Sequence, residues 1–152
     1  MLAPSTWRWS VMIHISMPGR RKFAASIWNQ LLACTDFISI HVPLNEQTRG
    51  LLGEQEFALL KPGTVLVNTS RGSITDERAL LAALHEGRVG AAGLDVLDGE
   101  PSVEGHPLLD YARTHDNLIL THHIGGFCPE AVDIVVAHAA RRIADVLTQV
   151  HV

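Results

Sequence analysis

Apolar positions along this chain fall into short continuous runs separated by amphipathic stretches. Residues 37–42 (Phe-Ile-Ser-Ile-His-Val) read as a strand stopped by Pro43, and 64–68 as a second opened by Pro62-Gly63. Residues 91–96 and 118–122 read as a third and a fourth. Strands this uniformly apolar are buried on both faces, as in parallel sheets covered by helices. Between the second and third, Thr75 is expected to cap a helix with Asp76 and Glu77 in its first turn. Its apolar face is Ala79, Leu80, Ala83 and Leu84, and Gly87 supplies the stop. A last helix is expected over 129–147, where Val132, Val135, Val136, Ala139, Ala140, Ile143, Val146 and Leu147 form one stripe that reads as core. Near the start, Trp7, Trp9, Val11, Ile13 and Ile15 alternate with polar or mixed positions, which predicts a strand over 7–16. Pro18-Gly19 ends it, and Arg20-Arg21-Lys22 leads into a helix over 23–33.

Strand–helix–strand alternation implies right-handed crossovers and an α/β parallel sheet with helices on its faces. No internal repeat or low-complexity linker divides the 152 residues. A chain of that length has the size of one domain and buries about two-thirds of its unfolded surface.

Composition narrows the function classes. An apolar fraction of 47% with 18% charged residues suits a globular protein. The net charge of −4 offers no basic face for nucleic acid. No run approaches the roughly 20 apolar residues that cross a bilayer, and the N-terminus lacks a signal-peptide pattern, so neither a membrane nor secretion is expected. Cys34 and Cys128 make no disulfide framework and no Cys-x-x-Cys pair, which fits a reducing, cytoplasmic location.

Ligands of open α/β sheets bind beyond the carboxyl ends of the strands. After the second strand stand Thr69-Ser70-Arg71-Gly72, after the third Asp98-Gly99-Glu100-Pro101, and at the end of the fourth Thr121-His122-His123-Ile124-Gly125-Gly126. Arg71 offers a fixed fork of donors that matches a carboxylate and polarises a neighbouring carbonyl. His123 titrates near neutrality and can give or take the proton of an alcohol–ketone interconversion. Glu100 beside that imidazole would orient it and favour its charged form. Each also has a bland reading: Arg71 in a surface ion pair, His123 satisfied at a strand end, Glu100 as a solvated loop carboxylate. Their convergence on one rim favours the chemical reading of the set.

The segments Asn68-Thr69-Ser70-Arg71-Gly72, Gly93-Leu94-Asp95-Val96 with Glu100-Pro101, His106-Pro107-Leu108-Leu109 and Leu120-Thr121-His122-His123-Ile124-Gly125-Gly126 resemble the signature blocks of the D-isomer-specific 2-hydroxyacid dehydrogenases. The stretch 36–44 with Thr48-Arg49-Gly50-Leu51 is similar to what precedes those blocks, so the likeness runs in order from about residue 31 to 147. The resemblance implies a partial Rossmann-like, doubly wound sheet with helices on both faces. It makes residues 31–152 the C-terminal part of a dinucleotide-binding domain and 1–30 an atypical lead segment, with the separate substrate domain absent. It implies hydride transfer between C2 of a 2-hydroxy or 2-keto acid and C4 of a nicotinamide. His123 would be the acid/base, Glu100 its partner and Arg71 the substrate clamp. Asp95 would hold the nicotinamide side of NAD, with strand-end capping as its plain alternative. His41, Val42, Pro43 and Thr48 would line the adenosine and ribose side, and Thr69, Ser70 and Gly125 would add contacts. A homodimer is implied on the same ground alone.

Three departures matter. His122 stands where the family has proline, but no third ligand is spaced to join the His122-His123 pair, so a metal is not expected. Arg20, Arg21 and Lys22 follow the first expected strand, where basic residues receive the 2′-phosphate of NADP; a solvated basic turn is the alternative. No Gly-x-Gly-x-x-Gly segment follows a strand, and Gly87, Gly90 and Gly93 are misspaced and precede one. This pattern predicts a truncated dehydrogenase, with a catalytically silent interaction or regulatory module as the alternative.

Overall fold

The computed structural model describes residues 12–13, 25–126 and 128–149. Of the expected N-terminal strand only Met12 and Ile13 fall among these. Trp7, Trp9 and the basic triplet Arg20-Arg21-Lys22 lie outside the described residues. The chain divides into two units, residues 1–122 and 123–152.

The first unit holds a five-stranded sheet, wholly parallel and in sequence order: β1 (Met12–Ile13), β2 (Phe37–Ile40), β3 (Thr64–Asn68), β4 (Val89–Leu94) and β5 (Leu118–Leu120). Four helices connect them: α1 (Ala25–Cys34), α2 (Glu54–Leu59), α3 (Glu77–His85) and α4 (Pro107–Ala112). The parallel, Rossmann-like architecture expected from the sequence is thus present, but among the described residues the helices α1 to α4 gather on one face and not on both as expected. A strand order that never reverses, joined by right-handed crossovers, puts successive helices on the same face. Accordingly α1 neighbours α2, α2 neighbours α3, and α3 neighbours α4. Ile38, Leu66 and Leu118 point into the core with Leu80, Leu84 and Leu108 of the helices, all at most 4% exposed. Alternate strand residues point the other way, where Phe37 is 38% and Ile119 66% exposed.

Strand positions agree with the apolar pattern, but their ends move. β2 stops at Ile40, although Val42 is still buried, and β4 begins two residues early because Val89 pairs with Thr64 ahead of a register shift. The cap of α3 is Asp76, not Thr75. The Asp76 carboxylate accepts from the N–H groups of Arg78 at 3.0 Å and Ala79 at 3.1 Å. Thr75 is committed one residue earlier to a parallel bridge with Leu52, and its buried hydroxyl has no hydrogen-bond partner. Leu80, Ala83 and Leu84 bury the expected face, and Gly87 ends the helix at φ +71°.

In the second unit, α5 (Pro129–Gln149) forms as the sequence predicts. Its stripe does not behave as core: Val132 is exposed, and so are Val135, Val136, Ala139, Ala140 and Ile143. Among the described residues no helix is long and apolar enough to cross a membrane.

Candidate active site

The carboxyl end of β3 is organised by one buried amide. The Asn68 Nδ2 donates to the Arg71 carbonyl at 2.9 Å, and its Oδ1 accepts from the Ser70 N–H at 3.0 Å. Both bonds close the loop 69–71 on itself. Ser70 ties that loop to the neighbouring strand, its hydroxyl donating to the Ile40 carbonyl at 2.9 Å. Thr69 and Arg71 are exposed, and the Arg71 Nη1 donates to the Ser70 carbonyl at 2.6 Å.

Gly72 then meets the loop after β4. A Cβ at this position would stand 2.1 Å from the Leu97 carbonyl carbon and 2.2 Å from the Asp98 nitrogen, closer than any side chain tolerates. Only glycine lets the two loops touch. Ser73 adds a hydrogen bond from its hydroxyl to the Asp98 carboxylate. The Arg71 loop and the Glu100 loop are therefore clasped together.

Along the Glu100 loop, the Glu100 Oε1 accepts from the Leu97 N–H at 2.8 Å. Glu77, at the start of α3, accepts from the Asp98 N–H through Oε1 and bonds the His106 Nε2 through Oε2, both at 2.8 Å. Burial raises the Glu77 pKa above its ordinary value, against the opposing pull of the Asp98 N–H and of His106. His106 caps α4, its Nδ1 accepting from the Leu108 N–H at 3.3 Å, with Pro107 in the first turn.

Asp95, at the end of β4, is 7% exposed and its N–H donates to the Asn68 carbonyl at 3.0 Å. Its carboxylate accepts from the Thr121 hydroxyl, which links it to the end of β5. A carboxylate is the acceptor that the N–H₂ of a carboxamide, such as a nicotinamide presents, requires. At the end of β2, Ser39 Oγ and the exposed His41 Nε2 are hydrogen-bonded at 2.7 Å. Val42 packs in the core. The Thr48 hydroxyl donates to the carbonyl of the exposed Pro43 at 2.7 Å and accepts from the Asn45 N–H at 2.9 Å, closing the loop 43–48.

His123 and Gly125 belong to the second unit. There His123 adopts φ +56°, the left-handed region that costs a side-chain-bearing residue energy. Among the described residues, no group of three or more His, Cys, Asp or Glu is arranged to hold a metal. Sequence reasoning gave Glu77 only a place in the first turn of its helix and assigned no individual role to Asn68, Gly72, Ser73 or His106. Of these, only Gly72 stood beside a candidate where its need for close approach was suggestive.

A parallel sheet that gathers a buried amide, a buried carboxylate and neighbouring hydroxyls at its carboxyl edge offers the place where open α/β sheets bind their ligands. Residues 14–125 match the family described as D-isomer specific 2-hydroxyacid dehydrogenase, NAD binding domain, and the chain belongs to that family. The cofactor class expected from the sequence, a nicotinamide dinucleotide, is the family's. The chain is 42% identical over 119 residues to the D-3-phosphoglycerate dehydrogenase of Methanocaldococcus jannaschii, covering 78% of this chain and 22% of that one. Among solved structures, it resembles D-2-hydroxyisocaproate dehydrogenase at 29% identity and TM-score 0.70, covering 82% of this chain and 41% of that one. It also resembles the D-isomer specific 2-hydroxyacid dehydrogenase of Xanthobacter autotrophicus Py2, solved with NADPH and MES, at 35% identity and TM-score 0.59, covering 65% and 30%. The chain thus spans less than half the length of these relatives.

Proposed function

We propose that this chain is the nicotinamide-side part of a D-2-hydroxyacid dehydrogenase, with residues 31–152 forming the C-terminal part of its dinucleotide domain. The observation that carries the reading is the Gly72 clasp, which sets the Arg71 loop against the Glu100 loop beside Asp95. Arg71 binds the substrate carboxylate through its two-pronged guanidinium and draws electron density from the C2 oxygen. Asp95 accepts from the carboxamide of NAD or NADP, and Thr69, Ser70 and Gly125 line that side. His41, Val42, Pro43 and Thr48 shape the adenosine and ribose side through their loop. The bound nicotinamide supplies a hydride to C2, or accepts one from it. His123 gives the C2 oxygen its proton in reduction and takes it back in oxidation, and Glu100 orients the ring and favours its charged form. The substrate class is a small 2-hydroxy or 2-keto acid.

The sequence contains no glycine-rich phosphate loop, so turnover is assayed in a chain joined in frame to that segment and to the substrate domain of a relative. NADH or NADPH oxidation by a 2-keto acid is expected, and His123→Ala is expected to lower kcat by about 10²- to 10⁴-fold. Activity indifferent to that change would sink the assigned mechanism. Titration of the present chain with NADH and NADPH completes the test, since micromolar binding would show that the glycine-rich loop is dispensable.

The exposed valines and isoleucine of α5 favour a second reading, an interaction module without turnover. It predicts self-association, and a stable monomer in sedimentation equilibrium would count against it.

A further inference from the structure

We propose that Glu77 and His106 are positioning residues that pin both ends of the loop 97–106 and thereby hold Glu100 in place. The inference rests on the role given to Glu100 above and names what fixes it. Two glycines with left-handed backbone, Gly99 at φ +89° and Gly105 at φ +72°, flank a span whose internal bonds are two turns, Ser102 N–H to the Gly99 carbonyl and His106 N–H to the Val103 carbonyl, each at 3.1 Å. Glycine has the widest backbone freedom, so anchors at the ends of such a span limit the motion that the turns leave. One carboxylate supplies both anchors. Its Oε1 takes the Asp98 N–H at the start of the loop and its Oε2 takes His106 at the finish, each at 2.8 Å. Ser73 reinforces the first anchor through Asp98. Both side chains are largely withdrawn from water, Glu77 12% and His106 15% exposed, so their bond is little weakened by solvent.

The tautomer follows from the second nitrogen. His106 Nδ1 accepts from the Leu108 N–H, so it carries no proton, and Nε2–H is the donor to Glu77. His106 therefore does two separable jobs: Nδ1 caps α4, and Nε2 latches the loop. Asparagine reproduces the reach of Nδ1 and glutamine that of Nε2. His106→Asn keeps the cap and removes the latch, whereas His106→Gln keeps the latch and removes the cap. Glu77→Gln keeps a single acceptor oxygen, so it can serve the Asp98 N–H or the His106 Nε2–H but not both, and one of the two anchors is lost.

Amide hydrogen exchange on the whole chain, without cofactor or substrate, tests this. His106→Asn and Glu77→Gln are expected to speed exchange at residues 98–105 about tenfold, as loss of one charge-assisted hydrogen bond would. His106→Gln should stay near wild type there, and β3 and β4 should be unchanged in all three. A merely structural cap would give the reverse order, with His106→Gln the faster. That order, an unchanged loop in the two latch variants, or acceleration spread over β3 and β4 would overturn the proposal. If Glu77→Gln fails to fold, the two His106 variants decide alone. Because the readout needs no turnover, a failed latch leaves the dehydrogenase reading standing. A dehydrogenase indifferent to His123 leaves the latch standing.

Discussion

Gly72 concentrates the demands of this rim in one position. Its missing Cβ would fall 2.1 Å from the Leu97 backbone, where no rotamer can relieve the clash. Gly72→Ala must push the loops after β3 and β4 apart, at a cost of about 3 kcal/mol or more by the scale of overpacked cores. Urea unfolding measures that cost, and the separation of the loops shows as lost protection of the Asp98 amide. Glu77 makes a different prediction. Its pKa is raised by burial, so the folded state holds its proton more tightly than the unfolded chain does. The stability this group contributes is full below the ordinary carboxylate range and is lost as pH rises through the raised value. Wild type minus Glu77→Gln in unfolding free energy should therefore fall as pH rises above the ordinary carboxylate range, with Asp98 and His106 the ionisable neighbours that modulate it. A difference that rises there would reverse the assignment of burial as the dominant cause. Arg71 and Glu100 stood out in the sequence as candidates because strand ends follow from apolar runs and ligands gather beyond them, whereas Asp95 entered through the family resemblance alone. Glu77 and His106 did not stand out, because their roles lie in a bond between segments 29 residues apart.

Among the elements, α3 illustrates how a local rule meets a tertiary constraint. Thr75-Asp76-Glu77 offers two residues able to cap, and propensity alone favours neither strongly. The bridge of Thr75 to Leu52 decides, since a residue held in a β-bridge leaves the next one to start the helix. Asp76→Ala should cost about 1 kcal/mol in thermal or chemical unfolding. Thr75→Val removes a buried hydroxyl that has no partner, and should be neutral or stabilising. Equal losses from the two changes would contradict the assignment. In α5 the same kind of limit appears on a larger stretch. A 3.6-residue period tells which side of a helix is apolar, while burial depends on whether another element meets that side. The sequence carries the first kind of information locally and the second only through the rest of the fold. Strand β3 was read to the residue because Pro62-Gly63 and Asn68 mark both ends. The starts and stops of β2 and β4 depend on where their partners run out.

At the scale of the whole molecule, the strand order carries one more consequence. Each of β2 to β5 pairs with the strand made just before it, and each connecting helix settles beside its predecessor. No strand of this sheet waits for a partner from later in the chain, as the central strand of a reversing order must. A polypeptide leaving the ribosome can extend such a sheet one β–α unit at a time, with loop closure confined to near neighbours. Ribosome-bound chains halted after β4 should accordingly already protect β2 and β3 from protease, before β5 has been synthesised. His123, the proposed acid/base, follows β5, the last of these five strands to emerge.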